Sequence, residues 1–313
     1  MSDIQASDGT ISTAPAPVSL QLARYLHTQR ETIMDGQIAA AGHDDPDAVT
    51  TMVIAARRAR SALSAHRPTA HREPEVHRLI EELRWFGIIV GAAHDLGVQS
   101  ARLHAAVDAL RPRYVRGPVR ARMSTYFTAR TRPAWTAARD LLASPRFPAM
   151  IEDMISEERL LRAGLVPGID DPDNAAVIGA LLDRVRVRMR AVESARDEDH
   201  ADAATHELRK ALRRLRYYLE SVRDLDPARS DQAADGLVAV QDLLGDNQDA
   251  AVAKHHLIQL TREAENAGES TFTYGLLMQR EIDRTTACAA ALPAAYWRSL
   301  RTVRVMADVH NTV

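Results

Sequence analysis

The stretch His206–Glu220, HELRKALRRLRYYLE, decides how the rest of the chain is read. At about 100° per residue, Leu208, Leu212, Leu215 and Leu219 fall on one side of a helix, and His206, Arg209, Lys210, Arg213 and Tyr217 cluster roughly opposite. Arg214 and Arg216 flank the cationic side, so five fixed positive charges lie within eight residues. Like charges three and four residues apart on a helix repel, and an anionic group is needed to relieve them. Two readings are open at this point: a solvated basic face neutralised by neighbouring carboxylates, or a surface for phosphates, which planar, permanently charged guanidinium groups grip well.

With 313 residues, 46% hydrophobic and 26% charged, the chain has a globular composition long enough for one large domain or two ordinary ones. All the basic residues except Lys210 and Lys254 are Arg, a bias that an Ala- and Arg-rich genome also produces. The formal net charge of −2 argues against a general nucleic-acid coat, so any anion site is local. Cys288 stands alone, which excludes an intramolecular disulfide framework and fits a reducing compartment. The N-terminal stretch lacks a basic n-region and an apolar h-region, and no apolar run approaches the roughly 20 residues of a membrane span. The expectation is a cytoplasmic protein without a membrane partner or a cofactor.

Working outward, residues 1–18 have no hydrophobic period and read as a flexible tail. A helical pattern starts at Leu20, breaks at AAGHDDPDA with Asp45 or Asp47 as a cap, and resumes from about Ala48 to Ala65. A loop around Pro68–Pro74 leads to a helix carrying Leu79, Leu83, Phe86 and Val90, then GAAHDLGV from Gly91. Basic residues 111–123, RPRYVRGPVRARM, face either solvent or the same ligand as the anchor stretch. Helices follow at Tyr126–Leu142 and Pro145–Leu165, and VPGIDDPDN, residues 166–174, is the strongest internal break. VRVRMR, residues 185–190, alternates like a strand but sits in a longer helical run and is read as helix. DEDHAD, residues 197–202, reads as a connection between helices. The class is all-α.

The halves resemble each other. RRARSAL at Arg57–Leu63 has the layout of RRLRYYL at Arg213–Leu219, an offset of 156, and GAAHDLGV at Gly91 matches GDNQDAAV at Gly245, an offset of 154. Two ordered matches at nearly the same spacing point to an internal repeat.

On these residues the sequence resembles the CHAD family, the conserved histidine α-helical domain. Its pattern is a His followed by an Arg- and Lys-rich helix, then a Leu-rich helix ending near Gly-Asp, twice per domain. His206, Arg209, Lys210, Arg213, Arg214, Arg216, residues Val240–Asp246 and Asp249 match it. The first half is degenerate: Thr50 stands where His206 does, Val53 where Arg209 does, and His94 where the family usually has Arg. The resemblance covers about residues 20–308. It implies one CHAD domain over 19–313, made of helical halves 19–166 and 175–310 related by a pseudo-twofold axis, each like a four-helix bundle. It further implies a basic central channel that binds inorganic polyphosphate, with possible roles at polyphosphate granules and no catalysis. Carried over residue by residue, the binding set is Arg57, Arg58, Arg60, His206, Arg209, Lys210, Arg213, Arg214 and Arg216, with the first-half wall weakened.

Other features have plainer readings beside the functional ones. Asp242, Asp246 and Asp249 mimic a metal cluster, but are expected to pair with arginines or sit exposed. Adjacent His255 and His256 diverge on a helix and make a poor metal pair. The His94–Asp95 doublet, with His77 and Asp140 as partners, suggests an HD-type metal-dependent phosphohydrolase as the enzyme alternative. A nucleic-acid-binding helical protein is the third class, disfavoured by scarce aromatics at 4%. No ExExK signature of a triphosphate-tunnel domain occurs, so a stand-alone binding module is expected.

Overall fold

The computed structural model describes residues 16–42, 46–66, 73–170 and 174–308, and the candidate cap Asp45, most of the tail and most of the Pro68–Pro74 loop lie outside them. Among the described residues the chain is all-α. The first half contributes α1 (Val18–Gly42), α2 (Pro46–Ala65), α3 (Glu73–Asp108), α4 (Val119–Ala143) and α5 (Arg146–Arg162). The second contributes α6 (Asn174–Glu193), α7 (Glu198–Ser221), α8 (Pro227–Asn266) and α9 (Phe272–Asp308). Thus five helices precede the internal break and four follow it. The VRVRMR run lies within α6, as its helical surroundings require.

Helix α7 begins earlier than the anchor stretch suggests. Asp197 caps it by accepting a hydrogen bond from the His200 amide at 2.9 Å, and Glu198 and Asp199 sit in the first turn, where the helix dipole favours carboxylates. DEDHAD is therefore the start of a helix and not a linker. Glu198 and Asp202 then point back to the ammonium of Lys254 on α8, a side chain only 10% exposed. The four leucines of the apolar side are fully buried, each contributing about 1.5–3 kcal/mol relative to exposure.

Two long helices run through glycines. Gly91 lies inside α3, and α8 continues from Gly245 for some twenty residues. At both places the helix surface approaches an arginine: a Cβ on Gly91 would sit 3.8 Å from Arg57 Nη2, and one on Gly245 3.7 Å from Arg209 Nη2.

The buried apolar residues do not divide along the sequence halves. The larger core joins α1, α2, α5 and the first part of α3 with α6, α7, the first part of α8 and the end of α9. A smaller one is built by the far ends of α3 and α8 with the starts of α4 and α9, around Leu103, Met123, Phe127, Leu257 and Tyr274. Polar contacts also cross between halves. Tyr25 donates to Glu220 at 3.0 Å, and His66 lies 3.1 Å from Ser221 Oγ with its ring against Tyr218.

Candidate functional site

Helix α2 packs against α7, and their cationic sides open into two adjoining cavities. The first, about 170 Å³, lies between α2, α6 and α7. Arg57, Arg60, Arg184, Arg188, Lys210, Arg213 and Arg214 line it with Ser61, Ser64 and Tyr217, against the single carboxylate of Glu207. That carboxylate is already engaged by Lys210 at 2.7 Å and Arg188 at 3.9 Å.

The second cavity, about 470 Å³, is walled by α2, α3, α7 and α8. Its lining falls into pairs at the repeat offsets: Thr50 with His206, Val53 with Arg209, Arg57 with Arg213, His94 with Gln248, Asp95 with Asp249, and Val98 with Val252. Arg57 and Arg213 line both cavities and so mark their junction.

The strongest electrostatic feature is what these guanidiniums lack. Among the described residues, neither an ion pair nor a hydrogen bond joins the side chains of Arg57, Arg60, Arg209 or Arg213 to a protein acceptor, whereas others, such as Arg102, Arg122, Arg146 and Arg223, sit on carboxylates. Burial pulls Arg213 down to about 10, helped by Arg209 and Arg57, and leaves it a cation at neutral pH. Arg60 and Arg209 are lowered in the same sense, first by burial and then by neighbouring charge, with Asp249 partly offsetting the effect on Arg209. Half-buried cations without acceptors mark a site of positive potential that an anion would relieve.

Not every expected residue joins them. Arg58 Nε lies 3.2 Å from Glu220 and its guanidinium carbon 5.7 Å from the Tyr217 ring centre. Arg216 donates to the same Glu220 at 3.0 Å and to Gln241 at 3.3 Å. Neither lines either of these cavities, since both guanidiniums turn to this one carboxylate. Arg57, Arg60, His206, Arg209, Lys210, Arg213 and Arg214 line one or both of the cavities. Arg184 and Arg188, one turn apart on α6, were missed. Their signal was an i,i+4 cationic pair beside the apolar Leu181, Val185 and Met189, but nothing in that spacing says which helix it faces.

His206 Nδ1 lies 2.5 Å from Gln248 Oε1, so this nitrogen donates. Burial holds the imidazole below its ordinary value, the Gln248 hydrogen bond opposes that shift, and Lys210 and Arg213 reinforce it. At the repeat-related place, Thr50 Oγ1 lies 2.8 Å from Nδ1 of His94 and 3.3 Å from its Nε2.

The remaining candidates resolve locally. Asp246 accepts from Arg102 at 2.7 Å, Asp242 is exposed, and burial raises Asp249 against the pull of Arg102 and Arg209. His77 and His94 lie on one continuous helix seventeen residues apart, about 25 Å at 1.5 Å per residue, so they cannot share a metal ion. His256 contacts the Tyr126 hydroxyl at 2.9 Å. The basic run 111–123 lies beside the smaller core, with Arg116 on the Phe272 ring, Arg120 on Asp108 and Arg122 on Glu269, away from both cavities. Cys288 is buried, and burial raises its thiol to about 11.

A family model described as the CHAD domain matches residues 24–258. The chain belongs to this family. Two uncharacterized Mycobacterium tuberculosis proteins, MT2285 of strain CDC 1551 / Oshkosh and Rv2226 of strain ATCC 25618 / H37Rv, are each 32% identical over 310 residues. Those alignments cover 96% of this chain and 57% of the relatives, so the chain spans little more than half their length. Among solved structures, PptA from Streptomyces chartreusis superposes with a TM-score of 0.69 at 20% identity, over 90% of this chain and all of that one. The CHAD domain from the plant Ricinus communis gives 0.66 at 23% identity, over 94% and 96%. Both likenesses concern the fold. The α7 and α8 segments, His206 to Asp249, lie within the matched span; α7 lines both cavities and α8 the second.

Proposed function

We propose that the chain binds inorganic polyphosphate along the two adjoining cavities between α2 and α7. The observation that carries this reading is the set of four guanidiniums, Arg57, Arg60, Arg209 and Arg213, held together without protein acceptors among the described residues. A linear polyanion offers an acceptor at every repeat unit, so one ligand satisfies cations in both cavities. Permanently charged, planar donors suit phosphate oxygens whatever the chain register. The role is retention or scaffolding, in the cytoplasm and at polyphosphate granules, and not hydrolysis. No helix among the described residues is long and apolar enough to cross a membrane, which is compatible with that location.

The test is titration of the purified chain with long-chain polyphosphate at two salt concentrations, with phosphate release followed with and without added divalent metal. Tight binding that weakens with salt, without release, is the expected result. Equal affinity for single-stranded RNA of matched charge would replace the reading with a nucleic-acid one. Metal-dependent release would restore the phosphohydrolase, and absence of binding would leave only the fold.

A further inference from the structure

The first half lacks the histidine of the repeat, yet the second cavity still contains two imidazoles. On the α7 and α8 side the pair is His206 with Gln248; on the α2 and α3 side it is Thr50 with His94. In each pair an imidazole and a neutral hydrogen-bonding side chain contact each other at equivalent places, but the imidazole has changed helices. His94 thus puts an imidazole on α3 at the place where α8 carries Gln248.

Charge sets the two cavities apart. The first cavity carries seven cations against one carboxylate and no histidine, so protons near neutrality change it little. In the second cavity α2 supplies Arg57, α7 supplies Arg209 and Arg213, and these face Asp95 from α3 and Asp249 from α8. Its formal charge is thus +1 with both imidazoles neutral and +3 with both protonated. Lys210 and Glu207, adjacent to His206 on α7, form a pair with each other and nearly cancel.

Resting on the polyphosphate reading above, we infer that His94 is the first half's phosphate-contacting imidazole and Thr50 its positioning residue, so that the second cavity is a proton-linked phosphate subsite served by two histidines. An entering phosphate favours the imidazolium form of each and opposes the repulsion from the arginines. Binding accordingly draws protons from solution. The sign follows: the extra affinity is present at acidic pH and is lost as pH rises. Internal units of a long polyphosphate chain have no titrating proton in this range, so the change belongs to the protein.

The experiment measures affinity for long-chain polyphosphate at pH 6 and pH 8, and proton uptake by calorimetry in two buffers of different ionisation enthalpy. Wild type is expected to bind about tenfold tighter at pH 6, equivalent to one charge-assisted hydrogen bond. His94→Gln, which keeps a polar group beside Thr50, is expected to reduce both the pH ratio and the proton uptake by as much as His206→Gln does. Combining them should abolish both. The relocation variant Thr50→His/His94→Gln rebuilds the second-half arrangement on α2 and α3, and should recover the wild-type ratio. A His94→Gln protein with an unchanged pH ratio and unchanged proton uptake overturns the inference while leaving polyphosphate binding intact. If wild type binds at neither pH, the functional reading itself falls.

Discussion

Helices α2 and α7 carry the two matching arginine-rich runs and face the same cavities, yet they serve them unequally. Each brings an arginine to the junction, Arg57 and Arg213. Beyond that the walls diverge: α7 adds His206 and Arg209, where α2 has Thr50 and Val53. The arginines after the junction also trade places. Arg60 lines the first cavity while its mate Arg216 does not, and Arg214 lines it while its mate Arg58 does not. Both absentees sit on Glu220, whose own repeat mate is Ser64, a small side chain in the first cavity. One carboxylate without a counterpart thus redistributes four arginines. A repeat position sets where a side chain starts, and its neighbours decide what it is available to do.

The deepest test reverses the charge of the fuller wall. Arg209→Glu with Arg213→Glu is expected to weaken polyphosphate binding about a thousandfold or more, since two charge-assisted contacts are lost and two repulsive ones gained. Unchanged far-ultraviolet circular dichroism would show that the loss is local; surviving affinity would break the account of α7. Reversal on the poorer wall, Arg57→Glu with Arg60→Glu, should cost about a hundredfold by the same titration. Affinity equal to wild type would confine the site to the second half.

The repeat mates sharpen the comparison further. Arg60→Ala should lower affinity about tenfold, and Arg216→Ala should leave it within about twofold while costing some stability through lost Glu220 and Gln241 contacts. Equal effects on binding would show that repeat position, and not Glu220, assigns the roles. The slope of log affinity against log salt should flatten by about 0.7 for Arg60→Ala and hardly at all for Arg216→Ala.

The smallest effect concerns how the halves are joined. His66 at the end of α2 is buried between Tyr218 and Ser221, and burial lowers it from 6.5 to about 4. Because the folded-state value is depressed, its contribution is fully present above pH 6.5 and is lost as pH falls toward 4. At pH 5.5 the loss is about 1 kcal/mol. Denaturant unfolding of wild type and His66→Gln at pH 7.5 and 5.5 reads it: the wild-type decline should exceed the variant's by that amount.

Much of this was open to reading in the chain itself. The leucine stripe of α7 and its opposing cations follow from spacing alone, because a helix converts a 3.6-residue period into faces whatever surrounds it. The offsets of 156 and 154 likewise matched Arg57 with Arg213 and His94 with Gln248, residues that line one cavity. Helix ends were harder: DEDHAD looked like a linker because acidic residues serve equally in loops and in first turns, and only the Asp197 cap distinguishes them. Gly91 and Gly245 lie inside α3 and α8, since a helix tolerates one residue of poor propensity at a cost of about 1 kcal/mol.

The sequence by itself determined the all-α class and the stock of cations on α2 and α7, since these depend on periodicity and residue type. Only the tertiary structure decided which cations remain without protein acceptors. It placed Glu220 between Arg58 and Arg216, turned Arg184 and Arg188 toward α7, and set His94 beside Thr50. Coulomb energy and hydrogen bonding act over a few ångströms, and residues far apart in sequence reach that range only when the helices pack.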